Sequence, residues 1–172
     1  MPRGSGRSPQ LVIITGEGRK TGKTSFGAEL VSKLRAAGLR VVVVKHVHHG
    51  VDYRVRDTGR YLEAGAEAVA ALGPGEYMIA GRRSLSLTEA LGLLALHAEA
   101  DVVVVEGLRS EASRVIEQGG CLVYLCRSGC ARLAVDGRLW ELSRPEALEA
   151  LIEALAEGGC TLRAPRPGSP ST

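Results

Sequence analysis

The stretch Leu11-Val12-Ile13-Ile14-Thr15-Gly16-Glu17-Gly18-Arg19-Lys20-Thr21-Gly22-Lys23-Thr24-Ser25 constrains this chain more than any other. A short, largely β-branched run reads as a strand. It enters a glycine-rich turn that ends in Gly22-Lys23-Thr24 and opens a helix. A phosphate-binding loop requires that order of parts: backbone N–H groups curl around phosphate oxygens, the helix presents its positive end, and a lysine reaches the outer phosphates. Gly18, Arg19, Lys20, Thr21, Gly22, Lys23, Thr24 and Ser25 are therefore the expected nucleotide contacts. Lys23 faces the β- and γ-phosphates, and the Thr24 hydroxyl is a ligand for Mg²⁺. The strict pattern places glycine five residues before Gly22; Glu17 stands there, between Gly16 and Gly18. The strand before the triplet and the helix after it carry the assignment.

The rest of the chain alternates strands and helices. Phe26, Leu30, Val31 and Leu34 repeat at helical spacing from about Lys23 to Ala37, and Gly38 stops that helix. Val41–Val44 and Val102–Val105 are runs of four valines without a polar face, the pattern of strands buried on both sides of a parallel sheet. Between them, a short helix starting near Asp57 or Thr58 and ending at Gly65 is expected. Strands at Glu67–Leu72 and Tyr77–Ala80 follow, turned by Gly73-Pro74-Gly75, and then a helix opened by the capping box Ser86-Leu87-Thr88-Glu89. Val115-Ile116 and Leu122–Leu125 read as strands. Leu133–Trp140 reads as a hairpin turned at Asp136-Gly137, and Ser143-Arg144-Pro145-Glu146 caps a last helix that stops at Gly158. The fold class predicted is α/β and P-loop NTPase-like. It has a mainly parallel sheet covered by helices on both faces, with a β-hairpin and a helix near the C-terminus. Residues 1–9 read as a flexible N-terminus, 10–160 as one nucleotide-binding domain and 161–172 as a disordered tail.

In such sheets ligands sit beyond the carboxyl ends of the strands. Three polar stretches leave their strands there: Gly16–Thr24, Lys45–Gly50 and Glu106–Arg109. Glu106 closes an apolar strand where P-loop proteins place the acid that holds Mg²⁺, directly or through water. Together with Lys23 it is the candidate catalytic residue, and together with Thr24 the candidate metal ligand. Lys45, His46, His48 and His49, with Gly107 and Arg109, form the candidate substrate-binding set. Three readings of the histidine loop stand side by side: donors for anionic substrate groups, ligands of a metal, and a solvated loop. Asp52 and Asp57 offer carboxylates for Mg²⁺ or a helix cap. Arg82-Arg83 offers a lid over phosphate or an ordinary surface pair. Asp101, at the opposite end of the Glu106 strand, reads as structural.

Composition narrows the alternatives. A formal charge of +3, without aromatic residues interleaved among the basic ones, does not suggest nucleic-acid binding. No apolar run approaches the ~20 residues of a membrane span, and no signal-peptide pattern opens the chain, so a cytoplasmic protein is expected. Cys121, Cys126, Cys130 and Cys160 contain no C-x-x-C pair. Buried small hydrophobes are favoured over a zinc site, and disulfides would be unusual in the cytosol.

The ordered set Lys45-His46-Val47-His48-His49, Arg56-Asp57-Thr58, Ala64-Gly65-Ala66 and Val105-Glu106-Gly107-Leu108-Arg109, following a P-loop, resembles the molybdopterin-guanine dinucleotide biosynthesis protein B (MobB) family. The match runs over about Leu11 to Glu117. The resemblance implies a Mg²⁺·GTP-binding accessory protein of molybdenum cofactor biosynthesis, forming a homodimer and hydrolysing GTP slowly. Its implied partners are the molybdopterin guanylyltransferase and the molybdenum cofactor. No N-K-x-D segment occurs, so the preference for guanine comes from the resemblance alone. Two alternatives remain: a P-loop small-molecule kinase or ATP-dependent ligase, and a non-catalytic nucleotide-sensing adaptor that docks a partner through the hairpin Leu133–Trp140.

Overall fold

A computed structural model of the chain describes residues 8–47 and 56–162, with residues 56–58 described as helical backbone only. The elements run β1 (Gln10–Gly16), α1 (Lys23–Ala36), β2 (Val41–Lys45), α2 (Arg56–Glu63), β3 (Ala68–Leu72), β4 (Tyr77–Gly81) and α3 (Leu87–His97). They continue as β5 (Val102–Glu106), a 3₁₀ turn at Arg109–Glu111, α4 (Ala112–Glu117), β6 (Cys121–Leu125), β7 (Cys130–Val135), β8 (Arg138–Ser143) and α5 (Arg144–Glu157). Two compact units result: one of the residues up to His46 with those from Leu93 onwards, and one of Val47–Gly92.

The first unit is built on a six-stranded sheet in the order β2-β5-β1-β6-β7-β8. The first four strands are parallel, and β7 and β8 are antiparallel additions at one edge. Strand residues alternate between the faces. Val12, Ile14, Val102, Val104, Val123 and Leu125 point to one face, where Phe26, Leu30 and Leu34 of α1 and Leu148, Leu151 and Leu155 of α5 pack on them. Each such side chain, fully withdrawn from water, contributes about 1.5–3 kcal/mol. Leu11, Ile13, Val103 and Val105 are buried on the opposite face, and there α4 lies against β1 and β6 with Val115 buried. The expected P-loop-type α/β architecture, with helices on both faces, is the one observed.

Both sequence-predicted devices at the C-terminal end form. Asp136 and Gly137 take φ values of 48° and 75°, the doubly positive pair of a type I′ turn. Ser143 caps α5 in a reciprocal box: Ser143 N–H donates to the Glu146 carboxylate at 2.9 Å, and Glu146 N–H to Ser143 Oγ at 3.4 Å. The Ser143 donors hold the Glu146 carboxyl below the usual carboxylate range.

Three expectations are corrected. Val41–Val44 was expected to be buried on both faces, but among the described residues β2 is an edge strand paired only with β5, and Val43 is 46% exposed. Val115-Ile116 lies in α4, not in a strand. Because β5 and β6 both run parallel to β1, the chain between them must return to the start of the sheet, and a helix makes that crossover. The cysteines are not free hydrophobes: Cys121 bonds to Cys160 and Cys126 to Cys130, and none is left as a thiol.

The second unit holds α2 and the antiparallel pair β3–β4, in register from Ala68↔Gly81 to Leu72↔Tyr77. Leu62 of α2 is its buried anchor. The arginine pair is engaged within this unit: Arg82 Nη1 donates to the Leu62 carbonyl at 2.7 Å, and Arg83 pairs with Glu89 at 2.8 Å. Leu72, Tyr77 and Ile79 are exposed, and the leucine-rich α3, which begins in this unit and ends in the other, buries none of its side chains. Among the described residues no helix is long and apolar enough to cross a membrane.

Candidate nucleotide-binding site

Strand register brings the site together. Ile14 of β1 and Lys45 of β2 both pair with Glu106 of β5, so three parallel strands end side by side. Glu106 follows Val102 and Val104 at two-residue spacing, and its side chain emerges on the face covered by α1. The helix starts at Lys23, which puts Thr24 in its first turn. Thr24 Oγ1 donates to Glu106 Oε1 at 2.9 Å. Lys45 Nζ donates to Thr24 Oγ1 at 3.3 Å and lies 3.5 Å from Glu106 Oε2. The Glu106 side chain is only 14% exposed, so its charge is poorly screened and a cation beside it is favoured. A hydroxyl and a carboxylate converging on one point suit a hard cation such as Mg²⁺, which commonly takes one or two protein oxygens and fills its shell with water and phosphate. Thr24 and Glu106 are the residues that would hold it, and Lys45 already supplies positive charge there.

The loop itself is closed by its own side chains. Lys23 Nζ donates to the Gly18 carbonyl and, at 3.1 Å, to Thr21 Oγ1. The Thr21 hydroxyl is buried and within 3.3 Å of the Gly18 carbonyl. The half-buried ammonium is thus held inside the turn. Gly22, the residue before α1, sits at φ 80° and ψ 16°, in the left-handed region that a side chain disfavours. The first turn of α1 contains no acidic residue of its own, and the carboxylate nearest the positive end of the helix is that of Glu106. Arg19, Lys20 and Ser25 are exposed around it.

Glu17, in place of the first loop glycine, has a structural use. Its N–H donates to the Leu125 carbonyl at 3.1 Å, and its carboxylate accepts from Arg127 N–H at 2.9 Å, tying the loop to the end of β6. His46 lies beside the cluster: its N–H donates to the Glu106 carbonyl, and its Cβ is 3.1 Å from where a side chain on Gly107 would begin. Arg109 is not brought to this group. Its guanidinium stands 5.4 Å from the ring centroid of Tyr124, on the opposite face of the sheet from Val123 and Leu125. His48, His49 and Asp52 lie outside the described residues, and of Asp57 only the helical backbone is described. Asp101, as expected, is structural. At the far end of β5 it accepts from Arg40 N–H at 2.8 Å and from the Arg40 guanidinium at 2.9 and 3.1 Å, which holds its carboxyl below the usual range.

Two residues near the loop were not anticipated from sequence. Arg127 Nη2 lies 3.3 Å from the position a Cβ on Gly18 would take, and Arg144 Nη1 lies 2.8 Å from the corresponding position on Gly22. Both are distant in sequence, and no local pattern marks them.

Residues 11–118, well over half of the chain, match the family model described as molybdopterin guanine dinucleotide synthesis protein B. The chain belongs to the MobB family. It is 30% identical over 95 residues to the probable molybdopterin-guanine dinucleotide biosynthesis adapter protein of Bacillus subtilis (strain 168), covering 53% of this chain and 54% of that protein. The chain therefore spans about half the length of the curated relative it matches. The crystal structure of a molybdopterin-guanine biosynthesis protein B superposes with a TM-score of 0.52 at 25% identity, over 86% of this chain and 98% of that one. The crystal structure of Bacillus subtilis MobB gives 0.49 at 29% identity, over 58% and 61%. The family match contains Lys23, Thr24, Lys45 and Glu106 and stops before β6, so the MobB segment carries the Thr24–Lys45–Glu106 cluster, whereas Arg127 and Arg144 lie beyond it.

Proposed function

We propose that this chain is a Mg²⁺·GTP-binding accessory protein in the formation of molybdopterin guanine dinucleotide, with slow GTP hydrolysis, built on a single nucleotide-binding domain over residues 10–160. The observation that carries this reading is the convergence of Thr24, Glu106 and Lys45 at the first turn of α1, inside the segment that matches the MobB family. In this reading the loop N–H groups and Lys23 hold the β- and γ-phosphates, and Thr24 and Glu106 hold the metal. Bound magnesium supplies charge neutralisation across the phosphate oxygens. Lys45 and His46 flank the position of the outermost phosphate and are suited to an anionic group of a second substrate. The proposed partners are a molybdopterin guanylyltransferase and the molybdenum cofactor, in the cytoplasm. A homodimer is supported by the apolar residues left exposed on β3, β4 and α3, which a second copy would cover.

Lys23→Ala tests the site. Calorimetric titration with GTP and with ATP, Mg²⁺ present, should give binding that prefers GTP in the native protein and a loss of about a hundredfold or more in the variant. Unchanged affinity in Lys23→Ala would remove the phosphate assignment, and a preference for ATP would remove the guanine one.

A further inference from the structure

A loop that receives polyphosphate gathers cations, and two of those near this one are already engaged. Lys23 is turned onto the Gly18 carbonyl, and Lys45 is set against Glu106. Arg144 differs. It is the first residue of α5, held in place by the Ser143–Glu146 capping box, and its half-buried side chain reaches back toward the loop. Nη2 donates to the Cys126 carbonyl at 2.8 Å. Nη1 lies against Gly22, the residue immediately before Lys23. Nε is enclosed with no hydrogen-bond partner, and among the described residues the guanidinium meets no carboxylate.

A role as a strut between α5 and the end of β6 explains one of these three nitrogens. It leaves a charge partly removed from water with nothing to balance it, which is costly unless an anion completes the arrangement. Arginine suits that task because its fork keeps donors available to phosphate oxygens after one N–H is committed elsewhere.

We infer that Arg144 is a nucleotide-binding residue whose guanidinium, poised at Gly22, contacts the polyphosphate held by the loop. The inference rests on the nucleotide-binding reading above and adds a residue that lies outside the segment matching the family.

The test compares native protein, Arg144→Gln and Lys23→Ala by calorimetry with GTP and with inorganic tripolyphosphate at low and high ionic strength. The melting temperature of each nucleotide-free protein is measured alongside. Arg144→Gln should bind both GTP and tripolyphosphate about ten- to a hundredfold more weakly at low salt. The deficit should shrink at high salt, because part of it is a screened charge interaction. The nucleotide-free melting temperature should stay near native. Native affinity in Arg144→Gln, with binding lost in Lys23→Ala, would overturn this inference and leave the nucleotide site standing. A deficit for GTP but not for tripolyphosphate would move the contact to the nucleoside and equally overturn it. A salt-independent deficit with a lowered melting temperature would reduce Arg144 to a strut. Native affinity in Lys23→Ala would instead remove the nucleotide reading itself.

Discussion

The disulfide between Cys121 and Cys160 offers a perturbation whose size can be worked out. Both residues are fully buried, and the bond fastens the chain beyond α5 to β6. Around it, Leu11 N–H donates to the Cys160 carbonyl at 2.9 Å, and Gln10 forms an isolated bridge with Thr161. The bond therefore ties residue 160 to β6, while the backbone contacts of Gln10 and Leu11 set the same segment beside β1. The separation is 39 residues. Closing a loop of that length removes about 13 cal/mol/K of entropy from the unfolded chain, or about 4 kcal/mol at 25 °C in the chain-entropy account. The Cys126–Cys130 bond, with a separation of 4, is worth only about half of that on the same account. For a chain of this size 1 kcal/mol moves the melting temperature by about 2–4 °C. The double variant Cys121→Ala/Cys160→Ala, which leaves no stray thiol, should thus melt roughly 8–16 °C below native in calorimetry without reductant. Thiol titration of the unfolded, unreduced native protein should find no free thiol. A double variant melting within about 2 °C of native would refute the entropic argument, and titratable thiols in the native protein would refute the pairing itself. The titration also bears on the proposed cytoplasmic setting, because disulfides persist mainly in oxidising compartments or in hyperthermophiles.

Glu106→Gln removes the carboxylate that Thr24 and Lys45 share, so Mg²⁺-dependent GTP hydrolysis should fall by about tenfold or more while GTP binding without metal changes little; equal turnover in single-turnover assays would remove Glu106 from the metal site. Asp101 is held below its ordinary pKa by Arg40, so its contribution is complete above the unfolded value of about 3.9 and is lost as pH falls through the folded value. Asp101→Asn should therefore melt lower than native by a constant gap between pH 7 and pH 5, and the gap should close below about pH 4. A gap that held constant to pH 2 would show that the Arg40 pairing does not act through the charge of Asp101.

How much could be read from the chain alone depended on how far apart the cooperating residues are. The strand–turn–helix at Gly16–Ser25, the Asp136-Gly137 turn and the two capping boxes at Ser86 and Ser143 are local devices, and all of them form as read. Glu106 was reachable from its place at the end of a valine strand, because strand ends in a parallel sheet share one edge. Its contact with Thr24 then depends on β5 lying next to β1, a fact of strand order that no local pattern encodes. The valine run of β2 misled for the same reason: four valines suit an edge beside β5 as well as a central position. Val115-Ile116 misled because two β-branched residues carry little weight against a crossover that topology demands. The cysteine pairs, joining β6 to residue 160 and closing the turn after β6, could not be deduced from spacing.

The departure of Glu17 from the usual loop pattern becomes intelligible when the far half of the chain is considered. A loop glycine at that position would keep its backbone N–H bond to Leu125 but lose the carboxylate that accepts from Arg127 N–H. Here the backbone N–H of Glu17 meets the Leu125 carbonyl, its carboxylate meets Arg127 N–H, and Arg144 spans from the Cys126 carbonyl to Gly22. Gly16 is part of the same junction, since a Cβ there would come within 2.7 Å of the Leu125 carbonyl oxygen. All the residues on the far side of these contacts lie after 118, beyond the family match. The MobB-like segment thus contributes the cluster of Thr24, Lys45 and Glu106, while the segment after it contributes the backing of the Gly16–Ser25 turn. A consequence follows for any chimera: joining residues 11–118 of this chain to another protein's later strands would keep the Thr24–Glu106 contact, which needs only β1, α1 and β5. It would lose the Glu17–Arg127 and Arg144–Cys126 contacts, so on the proposed reading metal binding and phosphate affinity should respond separately to such an exchange.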